Sequence, residues 1–156
     1  MIGRLGALLQ RLSQPGHAPV DPDRVPLAMA ALLVEAARAD HNVKEAELEE
    51  LGTLLAGRLG LAPEEASKLV RRARAAVEQS VSLYEFTRPL HEAFSYAEKE
   101  EFVGMLWHVA CADRRLDKYE DYLVGKVSEL LYVARGDVIR LRHEALQLKQ
   151  AAAGGD

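Results

Sequence analysis

The sequence has one cysteine, Cys111, among 156 residues. No disulfide can form within the chain, a pattern suited to a reducing compartment. Nowhere do eighteen apolar residues follow one another, so no membrane-spanning helix is expected. Positive charge is not in excess. The net charge of −4 argues against a general nucleic-acid binder, whose footprint would be a basic domain. Long alternating runs of β-branched residues are missing too, which leaves strands without an evident place. No His-Glu-x-x-His, nucleophile–base pair, phosphate-binding loop or closed zinc set can be read, so catalysis is not expected. The N-terminal apolar run "LGALL" is too short and interrupted for the core of a secretory signal. These absences together point to a non-catalytic cytoplasmic protein.

What the chain does have is helical periodicity. Apolar residues make up 49% and charged residues 28%, a globular balance in a length that fits one domain with a full core. Residues 2–13 place Ile2, Leu5, Leu8, Leu9 and Leu12 on one face. The stretch "SQPGHAPVDPD" (13–23) follows, with three prolines and a glycine, and reads as a linker. Residues 1–23 are therefore expected to form an amphipathic helix plus a proline-rich connection, and 24–149 the helical domain. Residues 150–156 read as a disordered tail.

Within the domain, Asp23 is expected to cap a helix running to about Ala39. A second helix runs from about Lys44 to Leu59, stopped by Gly60. A third starts at Pro63 and ends near Gln79. Ser82 with Glu85, and Ser95 with Glu98, have capping-box spacing. Asp117 is expected to open the helix before the last, and a final helix covers about 136–149. The expected fold is an all-α bundle of about eight helices.

Two stretches seventy-three residues apart resemble each other: "EAARADHNVKEAELEEL" (35–51) and "HVACADRRLDKYEDYLV" (108–124). Aligned over 33–52 and 106–125, they share Leu33/Leu106, Ala37/Ala110, Ala39/Ala112, Asp40/Asp113, Glu47/Glu120 and Gly52/Gly125. Small residues stand where two helices must approach, and acids stand at the turn. The pattern predicts a duplicated helix–turn–helix pair related by a pseudo-two-fold axis.

The motifs "ALLVEAARAD", "VKEAELEEL", "SLYEFTRPL", "EKEEFVGMLWHVACAD" and "LDKYEDYLV" carry a family resemblance across Leu27 to Ala145. The chain resembles the TerB-like family, named for bacterial tellurite-resistance proteins. The resemblance implies an all-helical domain with pseudo-symmetric helix pairs, clustered acids that bind a divalent metal, and a link to bacterial stress response. Similar modules occur in a membrane-anchored DnaJ-type co-chaperone, which adds a chaperone-associated role to the implied possibilities. The family's Ala-Asp-Gly corner is here Ala-Asp-His (Asp40, His41) and Ala-Asp-Arg (Asp113, Arg114). Lys44 replaces an acid or small polar residue, Asp117 keeps that acid in the second copy only, and Arg114 and Arg115 flank the second corner.

Two readings of the acids compete. Asp40 and Asp113 can shape turns by bonding nearby backbone N–H groups, and Glu47 and Glu120 stand at the third position of their helices. Alternatively, Asp40, Asn42 and Glu47, with Asp113, Asp117 and Glu120, supply oxygens to a hard cation, calcium or magnesium before zinc. The spacing is not that of an EF-hand. His108 aligns with Glu35, and the two can share a polar centre for a transition metal; in an enzyme reading, His108 works with Glu35 or Asp113. The chain has five histidines, His17, His41, His91, His108 and His143, and Cys111 has no cysteine partner. Tyr84, Tyr96, Phe86 and Trp107 are expected in the core, and Lys68, Arg71, Arg72 and Arg74 on a solvated face. Residues 2–13 can lie on a membrane through Arg4 and Arg11, or dock on the bundle or on another protomer.

The reading is a non-catalytic interaction module, responsive to a divalent cation, with a protein partner, no nucleic acid and a homodimer as an option. A purely structural protein–protein adaptor without a metal site is the alternative.

Overall fold

The computed structural model describes residues 3–12, 23–38, 44–111 and 118–153. Among them run eight helices: α1 (Arg4–Leu12), α2 (Arg24–Ala37), α3 (Glu45–Leu59), α4 (Pro63–Gln79), α5 (Tyr84–Ala93), α6 (Tyr96–Ala110), α7 (Lys118–Leu130) and α8 (Arg135–Ala153). The described residues contain no strand. The all-α bundle expected from periodicity is the observed fold.

Two helices form its centre. Residues 28–34 of α2 are all buried, so this helix is apolar on every side, the mark of a core helix. On α6, Phe102, Val103, Met105, Leu106 and Trp107 are buried, and the Trp107 indole N–H donates to the Val138 carbonyl at 3.1 Å. That bond ties α6 to α8 while satisfying a buried donor.

Helix ends follow local chemistry. Gly60 has φ 71°, and Leu61 N–H reaches back to Ala56 O at 3.1 Å, so α3 stops in a left-handed glycine turn. The α7 helix ends in the same hydrogen-bond pattern, with Val133 N–H on Ser128 O at 2.9 Å. Its left-handed residue is Tyr132, φ 61°, where glycine would be unstrained. Ser95 and Glu98 form the full capping box of α6: Glu98 N–H donates to Ser95 Oγ at 3.2 Å and Ser95 N–H to Glu98 Oε1 at 2.7 Å. At α4, Pro63 opens the helix, and only Glu65 contributes, accepting from Ala62 N–H at 3.4 Å.

Several expected details differ. Asp23 makes no side-chain cap, because its backbone already lies near the helical region (φ −88°, ψ −9°); its carboxylate lies 3.3 Å from Arg72 Nη1. The box of Ser82 with Glu85 does not form. Leu83 is itself helical and its carbonyl accepts from Phe86 N–H, so Ser82 stands one residue too early and accepts from Tyr84 N–H instead. The last helix continues through Ala153, past the expected end at 149, because the first helix-breaking residue is Gly154. Residues 150–153 are therefore helix and not tail. Tyr84 and Tyr96 are largely exposed instead of core, while Phe86 and Trp107 are buried as expected.

The N-terminal helix is part of the bundle. Leu5 and Leu8 are buried among α3 and α6, so the apolar face that would lie on a membrane is already covered. Residues 4–12 thus belong to the same body as the rest.

The helix contacts obey a simple exchange in which α1–α4 correspond to α5–α8. Helices α2 and α4, α3 and α4, and α2 and α3 touch; so do α6 and α8, α7 and α8, and α6 and α7. Within its own half α1 packs on α3 and α5 packs on α7; across the halves, α1 packs on α6 and α5 on α2. The central contact, α2 with α6, maps onto itself. Among the described residues, the principal contact without a counterpart is α2 with α7.

Candidate functional site

The acidic corners lie between α2 and α3 and between α6 and α7. Their members Asp40, Asn42, Asp113 and Asp117 lie outside the described residues. Glu47 stands half-buried in the first turn of α3, and Glu120 stands at the same turn of α7, where it is 5% exposed. Carboxylates in a first turn face the positive end of the helix dipole, which suits both capping and an adjacent cation. Among the described residues no group of three or more His, Cys, Asp or Glu is placed to hold a metal.

His108 and Glu35 do not line the same groove among those described. Glu35 lies 3.3 Å from Arg38 at the end of α2. The exposed His108 lines an open groove of about 520 Å³ between α6 and α8, where Arg4, Arg58, Glu100 and Glu144 mix both signs of charge. Glu35 is not among the residues lining it. Of the basic run, Arg72 pairs with Asp23 and Arg74 with Glu78, a solvated face as expected.

Two further grooves occupy equivalent places in the two halves. One, of about 360 Å³, runs between α3 and α4; the other, of about 730 Å³, between α7 and α8. The first helix of each contributes Leu48, Gly52 and Ala56, or Asp121, Gly125 and Glu129, pairs seventy-three positions apart. The second helix contributes Pro63, Ser67 and Val70, or Arg135, Ile139 and Arg142, pairs seventy-two positions apart. The offset drops by one because α7 reaches its left-handed residue one position sooner than α3 does.

Gly52 and Gly125 sit inside helices at matching points of these grooves. A Cβ built on either meets no atom within 4 Å. Neither close packing nor backbone strain requires glycine there, although glycine costs a helix interior about 1 kcal/mol relative to alanine. Their effect is to keep each groove open. The second groove also has an aromatic floor: Arg142 lies over the Trp107 ring at 5.8 Å. Its Nε stands 3.3 Å from Asp121 Oδ1, close enough for an ion pair but not aligned for a hydrogen bond. In the sequence the Gly52/Gly125 identity carries the signal without pointing to a surface.

One polar cluster was not anticipated. Lys99 is buried in the first turns of α6, and its Nζ lies 2.7 Å from His91 Nδ1. Burial pushes the lysine's pKa down. The His91 ring stands 4.8 Å from that of Tyr132. Nearby in sequence, Tyr96 donates to Asp137 at 2.6 Å and accepts from Ala134 N–H at 2.9 Å; the bond to the carboxylate raises the phenol's pKa.

A family model described as tellurite resistance protein TerB matches residues 26–143. The chain belongs to the TerB family. The match takes in both corners, both glycine grooves and every helix from α2 to α7 apart from the first two residues of α2, and it ends within α8. Helix α1 precedes the part matched to TerB. No curated protein and no solved structure matches the chain. No helix among the described residues is long and apolar enough to cross a membrane.

Proposed function

We propose that this TerB-family chain is a non-catalytic interaction module, linked to bacterial stress response through its family, that engages a protein partner through its two glycine-floored grooves. The observation that carries this reading is the recurrence of an open groove at equivalent positions, each with an interior helical glycine that packing does not require. The open helix backbone at each glycine suits something that approaches it closely. The test is capture of a binding protein by the full chain and by Gly52→Leu and Gly125→Leu variants. Loss of the captured protein in a variant whose melting temperature is not lowered supports the reading. Equal capture by all three chains counts against it.

A second reading, cation response at the corners, is favoured by the paired first-turn acids Glu47 and Glu120 together with the corner acids Asp40 and Asp113 of the sequence. Thermal unfolding of chelator-stripped protein with calcium, magnesium, manganese or zinc tests it. A ligand bound only by the folded state raises the midpoint by mass action, by about 2.7 kcal/mol at a hundred times its Kd. A cation-specific rise lost in Asp40→Asn/Asp113→Asn is the expected outcome. A variant that is merely less stable with every cation and with none returns these acids to turn-making.

A further inference from the structure

Helices α1 and α5 hold the same place in the two halves, but they are held by different chemistry. Beneath α1, two carboxylates on α6 form the contact. Leu5 N–H donates to Glu101 Oε2 at 3.3 Å, and Arg11 Nη2 meets Glu98 Oε2 at 3.2 Å. Seventy-three positions earlier, on the helix that seats α5, stand Val25 and Ala28, both buried. One seat is thus partly ionic and the other apolar. The apolar contribution to the first seat comes chiefly from Leu5 and Leu8.

The tethers differ as well. Only Phe94 and Ser95 separate α5 from α6, so α5 has no choice of position. Between α1 and α2 stand eleven residues, 13–23, three of them proline. A connection of that length reaches at most about 40 Å, enough to place α1 on the equivalent seat of a neighbouring molecule. Helix α1 has nine residues, and isolated helices that short are marginal in water, so it must occupy a seat to remain a helix. The occupant that fits this seat in leucine spacing, in the N–H offered to Glu101 and in the guanidinium offered to Glu98 is α1 itself.

We propose that the seat on α3 and α6 is an exchangeable helix-binding site, and that its second occupant is α1 of another copy of this chain. Exchange of an identical element between protomers needs no new contact surface. It gives the protein a route to a dimer in which each copy completes the other's core.

The test uses the full-length chain with Cys111→Ser. Arg11→Cys and Glu98→Cys chains are made separately, mixed in equal amounts and treated with a short bismaleimide that spans the replaced ion pair. The expected result is a cross-linked heterodimer, in excess of any dimer given by either chain alone. The double variant Arg11→Cys/Glu98→Cys serves as the internal control, closing within one chain when α1 sits on its own seat. No heterodimer from the mixture, with closure in the double variant, overturns exchange; failure of the double variant to cross-link at all overturns the seat. Hydrogen exchange on the unsubstituted chain decides independently of these variants. Amides of α1 exchanging ahead of those of α6 support a detachable arm, and amides exchanging in step with α6 overturn it.

Discussion

At the scale of single residues, Lys99 shows how one buried charge leaves a signature in solution. Its side chain is largely buried along the stem, and its ammonium, the less buried end, meets the His91 imidazole. Burial lowers its folded pKa, whereas in the unfolded chain it returns to an ordinary value near 10.4. Between those two values the unfolded state binds more protons, so stability rises with pH across that window. The cost of burying the charge is fully present below the folded pKa and disappears above the unfolded one. In Lys99→Met, this part of the rise is expected to vanish while neutral-pH stability holds or improves. Urea unfolding of both proteins at intervals from neutral pH to above pH 10 reads the difference.

At the scale of elements, the ends of α3 and α7 make a natural comparison. Both close with the same back-reaching N–H, but one uses Gly60 and the other Tyr132 in the left-handed region. An L-residue there costs about 1–2 kcal/mol. Gly60→Ala is therefore expected to lower stability by about 1 kcal/mol, and Tyr132→Gly to raise it by up to about that amount. The loss of the exposed Tyr132 ring beside His91 trims the gain. Tyr132→Ala keeps the strain and is expected to give no gain. Chemical denaturation of the three variants distinguishes these outcomes.

The elements also show what could be read in advance. Gly60, Pro63 and Ser95 punctuate the chain through their own backbone or side-chain chemistry, and each sets its boundary where expected. Asp23 and Ser82 did not, because a cap depends on backbone angles, those of Asp23 itself and those of Leu83 after Ser82, which residue type does not determine. The repeat was visible across the corners, where a single offset holds. It faded beyond α7, where the last helix is reached one residue sooner and the alignment shifts from seventy-three to seventy-two. The paired grooves straddle that shift, so their correspondence appears only in space. The docking of α1 was one of two open readings, since an amphipathic face suits a lipid surface and a protein core equally. Of the corner acids, Glu47 and Glu120 stand where helix chemistry predicts, in the first turns of α3 and α7.

At the scale of the whole molecule, the core runs along the α2–α6 contact. Leu33 and Leu106 occupy equivalent points on these helices, and both are 0% exposed. Truncating a buried leucine to alanine costs about 2–5 kcal/mol, depending on how far the site collapses. Leu33→Ala and Leu106→Ala are each expected to fall in that range and to lower the midpoint of one common transition. Guanidinium unfolding followed by the Trp107 fluorescence and by helical circular dichroism checks both points.

The exchange pattern of the helices makes the two halves depend on each other. Helices α3 and α4 make their principal contacts within their own half, but α1, α2, α5, α6 and α7 reach across. A single half would leave its central helix bare along one side and its first helix without half of its support. The arrangement is that of two interlocked halves joined by the turn after α4. Severed in that turn, either half would expose apolar surface of its central helix that the other half now covers.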